Sequence, residues 1–106
     1  MESDWRKFSA LVPVLRERYL AERNSEIARI IDDPKKTETE RFWDAMELME
    51  KEARTLRKCL DDHSRSKMWL YMVTMRRAGM LKREDLADFS EEIQKKVFDD
   101  SFEKKG

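Results

Sequence analysis

This chain is short of the residues that break or staple a fold. It has two glycines, two prolines, one cysteine and one histidine in 106 residues. A fold built from many strands needs turn glycines and prolines, so their scarcity points away from all-β and towards helices. The lone Cys59 excludes an internal disulfide framework and suits a reducing compartment. One histidine excludes the common two-histidine metal motifs. Net charge is also missing: 23 Lys and Arg are balanced by 23 Asp and Glu, so no global field favours nucleic acid or an anionic membrane. No apolar run approaches the about 20 residues that cross a bilayer. The opening Met-Glu-Ser-Asp-Trp has no basic stretch followed by an apolar core. The expectation is therefore a cytoplasmic protein without membrane contact.

What is present is charge and bulk. Charged residues make up 43% of the chain, which alone would suggest disorder, but three Trp, five Phe and seven Met supply the material of a core. The length suits one domain. The pattern predicts a single helical bundle over residues 1–98 and a frayed tail over 99–106.

Periodicity supplies the elements. Trp5, Phe8, Val12, Leu15 and Tyr19 recur every three or four residues, the seam of a packed helix. Pro13 interrupts it, which predicts a kink, or a first helix ending near Leu11 and a second starting at Pro13. Ile27, Ile30 and Ile31 resume an apolar face in another phase. Asp32 to Lys36 reads as a connection, since Pro34 disfavours the helical region in the residue before it. Thr37 and Glu40 then have the spacing of a capping box. The second arm carries the cleanest seam: Phe42, Met46, Met49, Ala53, Leu56 and Leu60, widened by Trp43. Its repeat fails at His63, so a junction is expected near Asp61 to Ser64, with Asp62 or Ser64 capping a third helix.

That third helix, about Arg65 to Ala78, is apolar nearly all round from Met68 to Met75. Such a helix is buried on several sides. Gly79 is placed for a left-handed C-terminal cap, with Met80 and Leu81 folding back over it. A short helix over Lys82 to Asp88 and another capped by Ser90 close the chain, with Ile93, Val97 and Phe98 docking on the bundle. The expected fold is all-α. Two long antiparallel helices meet through their seams around a central third helix, with one or two short C-terminal helices.

Three functional readings follow. The first is a small non-enzymatic interaction or adaptor protein without a cofactor. It forms a homodimer or meets another protein through Met-rich and aromatic surface, with Trp69, Met72, Val73 and Met75 as shared surface or central core. The second is a DNA- or RNA-associated regulator. The stretch from His63 to Arg83 contains no acid but holds Arg65, Lys67, Arg76, Arg77, Lys82 and Arg83, and such clusters hold phosphates. The third is a metal-dependent enzyme. Cys59 and His63 would share a helix face, and with Asp62 could ligate zinc, while Glu40, Asp44, Glu47 and Glu50 are carboxylates at helical spacing. A polar helix junction and a solvated charged face explain these last two groups more simply.

Overall fold

The computed structural model describes residues 2–98, and the expected frayed tail lies outside them. The described residues form α1 (Glu2–Ile31), α2 (Glu38–Leu60), α3 (Met68–Arg77) and α4 (Glu91–Val97). Two 3₁₀ turns, Arg65–Lys67 and Arg83–Leu86, lead into α3 and lie between α3 and α4. The protein is all-α, with no strand among the described residues.

The helix α1 runs unbroken through Pro13, so the two-helix alternative is corrected. Proline removes the amide that would bond the carbonyl four residues earlier. Here Pro13 and Ser9 both lie on an exposed side, where water can take the freed carbonyl. The turn from α1 to α2 is fixed locally. Arg41 Nε donates to the Asp33 carbonyl at 2.9 Å. The capping box forms in full: Glu40 N donates to Thr37 Oγ1 at 3.1 Å, and Thr37 N donates to Glu40 Oε1 at 2.8 Å.

At the far end of α2 the chain turns through Asp62, which sits at a positive φ of 57°. Ser64 occupies the position before the 3₁₀ turn, but its side chain makes no capping bond. The end of α3 is a complete Schellman motif. Gly79 has φ 79°, its amide donates to Arg76 O at 3.0 Å, and Met80 N donates to Met75 O at 2.8 Å. Met80 and Leu81 are then buried over the cap, as the sequence predicts.

The core is one contiguous cluster. Phe8, Leu15 and Tyr19 of α1 meet Cys59 of α2, Met68, Met72 and Met75 of α3, and Leu86, Phe89, Ile93 and Val97 beyond. Only the first part of α1 and the last part of α2 enter it. Ile27 and Ala45 are buried but lie outside this cluster. The C-terminal part of α1 and the N-terminal part of α2 thus form a two-helix arm with its own thin seam.

The expected α2 seam holds at its far end, where Leu56 and Leu60 pack against the core, and is corrected in its first half, where Phe42, Met46 and Met49 are exposed. On α2 the buried residues are Ala45, Glu52 and Cys59, one position before Met46, Ala53 and Leu60. One residue is about 100° of helix rotation. Small Ala45 and Cys59 let the helices approach, and Glu52 accepts a hydrogen bond from Tyr19 Oη of α1. Turning Phe42 and Trp43 inwards would carry Glu52 out and leave a buried phenol without its partner, a cost of about 1–3 kcal/mol.

Candidate interaction surface

The rotation of α2 leaves large apolar side chains outside. Phe42 is 56% exposed, Trp43 60%, Met49 49% and Met46 36%. Phe42 and Trp43 meet edge to face, with centroids 5.0 Å apart and planes at 89°. Trp43, Met46, Glu47 and Glu50 line a shallow depression beside them. Scattered single apolar residues on a surface are ordinary, but a contiguous row of four on one helix is a patch. Ile31 at the end of α1 is half exposed as well.

The charges around this row are sorted along α2. From Glu38 to Glu50 the ionisable residues are Glu38, Glu40, Arg41, Asp44, Glu47 and Glu50. From Lys51 to Lys58 they are Lys51, Glu52, Arg54, Arg57 and Lys58, and Glu52 is buried against Tyr19. The exposed surface is therefore acidic towards the start of the helix and basic towards its end. Within the first part, Asp44 pairs with Lys36 at 2.5 Å and Glu38 with Arg41 at 3.0 Å.

Of the two places expected for Trp69, Met72, Val73 and Met75, shared surface or central core, these residues lie in or against the core. Met72 and Met75 are fully buried, and Trp69 and Val73 are half-buried against the core. Trp69 borders a cleft with Trp5, Met68 and Ile93, and Lys96 Nζ sits over its ring at 5.0 Å. This helix is the centre of the fold, and of its apolar residues only Leu70 stands well exposed.

The six cations proposed for nucleic acid are spread over separate neighbourhoods. Arg65 pairs with Glu2 at 3.0 Å and lies over Trp5 at 6.0 Å. Arg76 and Arg83 flank the Phe98 ring at 5.0 and 4.9 Å, and Arg76 Nη1 donates to the Val97 carbonyl at 2.9 Å. Arg77 borders a depression with Thr55, Lys58 and Thr74, on the α2 side of α3. Lys67 and Lys82 are exposed at opposite ends of α3. Three of the six thus pack on aromatic rings, which joins elements of the fold together.

The proposed metal ligands do not converge. Cys59 is buried, and that burial pushes its thiol pKa up, away from the thiolate a metal requires. His63 Nε2 donates to the Cys59 carbonyl at 2.7 Å. Its ring lies between Phe8 and Tyr71, at 4.9 and 4.7 Å. Asp62 is exposed, and its carbonyl accepts from Tyr71 Oη at 2.7 Å. Among the described residues, no group of three His, Cys, Asp or Glu side chains is arranged to hold a metal ion. The carboxylates Glu40, Asp44, Glu47 and Glu50 are all exposed on one helix.

Polar residues that periodicity does not reveal hold the elements together. Asp4 is buried and accepts from Ser90 N at 3.0 Å and Ser90 Oγ at 2.6 Å, which ties the start of α1 to the start of α4. Burial alone would raise its pKa, but the two Ser90 hydrogen bonds hold the carboxyl below its ordinary value. Arg18 forms a two-pronged pair with Asp85 at 2.9 and 2.7 Å, and also donates to the Met80 carbonyl at 3.0 Å. This guanidinium, despite partial burial, lowers the Asp85 pKa. Burial and the Glu52 carboxylate together raise the Tyr19 phenol. Asp4 sits in a helix first turn, where an acid is expected anyway, so sequence alone carries no sign of its partner.

Comparison with protein-family models, curated proteins and solved structures finds no match to this chain in any of the three. Among the described residues, no helix is long and apolar enough to cross a membrane.

Proposed function

We propose that this protein is a small non-enzymatic helical interaction module. The α1–α2 arm is its docking element, and the α3–α4 cluster is the anchor that holds the arm in place. One observation carries the reading: Phe42, Trp43, Met46 and Met49 stand exposed in a row on a helix whose other face supplies the intramolecular contact. A monomer that needed only to be stable would place such side chains inside.

The titratable groups with shifted pKa support a structural rather than catalytic use of polar chemistry. Asp4, Arg18, Tyr19 and Asp85 each bond across from one element to another, Lys36 pairs with Asp44 at the turn between α1 and α2, and Cys59 is enclosed. A single buried thiol also suits a cytoplasmic setting.

The test is an apolar dye such as bis-ANS, titrated into dilute wild type and into the triple variant Phe42→Glu, Met46→Glu, Met49→Glu. Wild type should enhance dye emission several-fold over the variant, while circular dichroism shows equal helicity in both. Equal dye binding by a folded variant would sink the docking role of this face.

A further inference from the structure

Between the last turns of α2 and α3 the surface folds into a groove of about 320 Å³, lined by Thr55, Lys58, Cys59, Thr74, Arg77 and Ala78. It is separate from the docking row. Thr55 stands nine residues from Met46, and at about 100° per residue the two lie on opposite sides of α2.

The charge in this groove has one sign. Lys58 and Arg77 are both exposed, and among the described residues neither makes an ion pair. Cys59 is enclosed, and burial keeps its thiol protonated. No acid among the described residues lines the groove. Lys51 and Arg54, one turn before Thr55 and Lys58, are exposed as well, while Glu52 between them is turned away to Tyr19. Asp61 and Asp62 follow α2 but take no part in the lining. The chain as a whole has equal numbers of acids and bases, so a groove holding only bases concentrates a local positive potential.

The groove also holds directed donors. Thr55 Oγ1 donates to the Lys51 carbonyl at 3.4 Å, and Thr74 Oγ1 donates to the Leu70 carbonyl at 3.0 Å. Each carbonyl belongs to the preceding helical turn, so rotating the hydroxyl frees its proton without unwinding the helix. The Thr55 bond is already longer than an ordinary O–H···O bond.

We propose that this groove is an oxyanion site for a terminal phosphate group, free or carried by a small molecule. Lys58 and the planar fork of Arg77 would hold its charge, and Thr55 and Thr74 would donate to its oxygens. Four donor groups from two helices suit the three acceptor oxygens and nearly double charge of a phosphomonoester. The groove volume falls at the small end of ligand pockets, which begin near about 300 Å³. A nucleic-acid backbone needs a track of cations, and Arg65, Arg76 and Arg83 are instead held over Trp5 and Phe98. Cations in a last turn also offset the helix dipole. Arg57 and Arg76 stand in the same two turns, so that need does not explain why Lys58 and Arg77 share one groove.

Proton–nitrogen NMR of the full chain, titrated with inorganic phosphate and with chloride at matched ionic strength, tests the site. Phosphate should give saturable shifts centred on the amides of residues 55–59 and 74–78, and chloride should not. Equal responses to the two ions, or shifts spread over every basic stretch, would mean screening alone and overturn the site. O-phosphoserine should displace phosphate from the same amides, and serine should not. Tighter binding of O-phosphoserine assigns the phosphate to an organic carrier; tighter binding of inorganic phosphate assigns it to the free ion.

Variants separate a built site from a diffuse field. Lys58→Gln with Arg77→Gln should raise the phosphate dissociation constant at least tenfold at unchanged helicity. Thr55→Val with Thr74→Val keeps every charge and should still raise it severalfold. Wild-type affinity in the valine variant would overturn the part given to the hydroxyls. A DNA fragment that binds more tightly than phosphate, with a salt dependence of several phosphates, would overturn the small-ligand reading.

Discussion

Asp4 carries more of the tertiary structure than any other single carboxylate near the N-terminus. It takes both the amide and the hydroxyl of Ser90, and the same hydroxyl accepts from Ile93 N at 3.3 Å as the cap of α4. Asp4→Ala would remove the carboxylate that both Ser90 donors share and leave a gap at a buried position. We expect a loss of about 2 kcal/mol, read as a lower urea midpoint with an unchanged slope. Asp85 gives a prediction with a sign. Arg18, its closest partner, lowers its folded pKa from an ordinary 3.8, so the pair adds stability above that ordinary value and loses it as pH falls through the folded one. Asp4 shifts in the same direction and adds to the effect. Wild type should therefore lose stability below about pH 5. Asp85→Asn should be less stable at pH 7 and show a shallower acid loss. An unchanged acid profile in that variant would remove Asp85 from the account.

At the scale of elements, the sequence reads well wherever structure is set by neighbours along the chain. The Thr37–Glu40 box, the Ser90 cap and the Gly79 turn are local bonds among residues a few positions apart, and all three form. Gly79→Ala isolates one such term. A Cβ there would meet nothing within 4 Å, so its cost is the left-handed backbone alone. About 1–2 kcal/mol is expected, measured by thermal unfolding. Pro13 argues the opposite sign. It sits exposed inside a continuous α1, and Pro13→Ala should stabilise the chain by up to about 3 kcal/mol. A destabilised Pro13→Ala would mean that the proline's effect on the unfolded chain outweighs its lost hydrogen bond. What periodicity does not give is the phase of α2. Apolar spacing marks Phe42, Met46 and Met49 as the packing row, yet α2 turns a face of small side chains and one carboxylate to α1. That choice depends on Tyr19, 33 residues earlier, needing an acceptor. Pairings across such separations leave no periodic trace.

At the scale of the whole molecule, the same gap explains why apolar pattern alone does not separate core from surface. The all-apolar α3 and the apolar seam of α2 carry the same signature, and either would suit a core. The elements of the described residues surround only one of them. Helix α3 takes that place, enclosed by the first half of α1, the end of α2 and α4, with Met72 and Met75 fully buried. Met72→Asp should consequently prevent folding, since an unpaired charge there has no route to water. The arm is left as two helices with one shared side, and its stability should be the lower part of the molecule's. Opening free energies span a wide range within one fold, and regions with few buried apolar contacts sit at the low end. Amide hydrogen exchange can resolve this. In dilute protein the amides of residues 24–31 and 40–48 should exchange well ahead of those of residues 70–76. Arm protection equal to that of α3 in a dilute monomer would show instead that the α1–α2 pair is sufficient by itself, and the exposed row would then need no partner to explain its persistence.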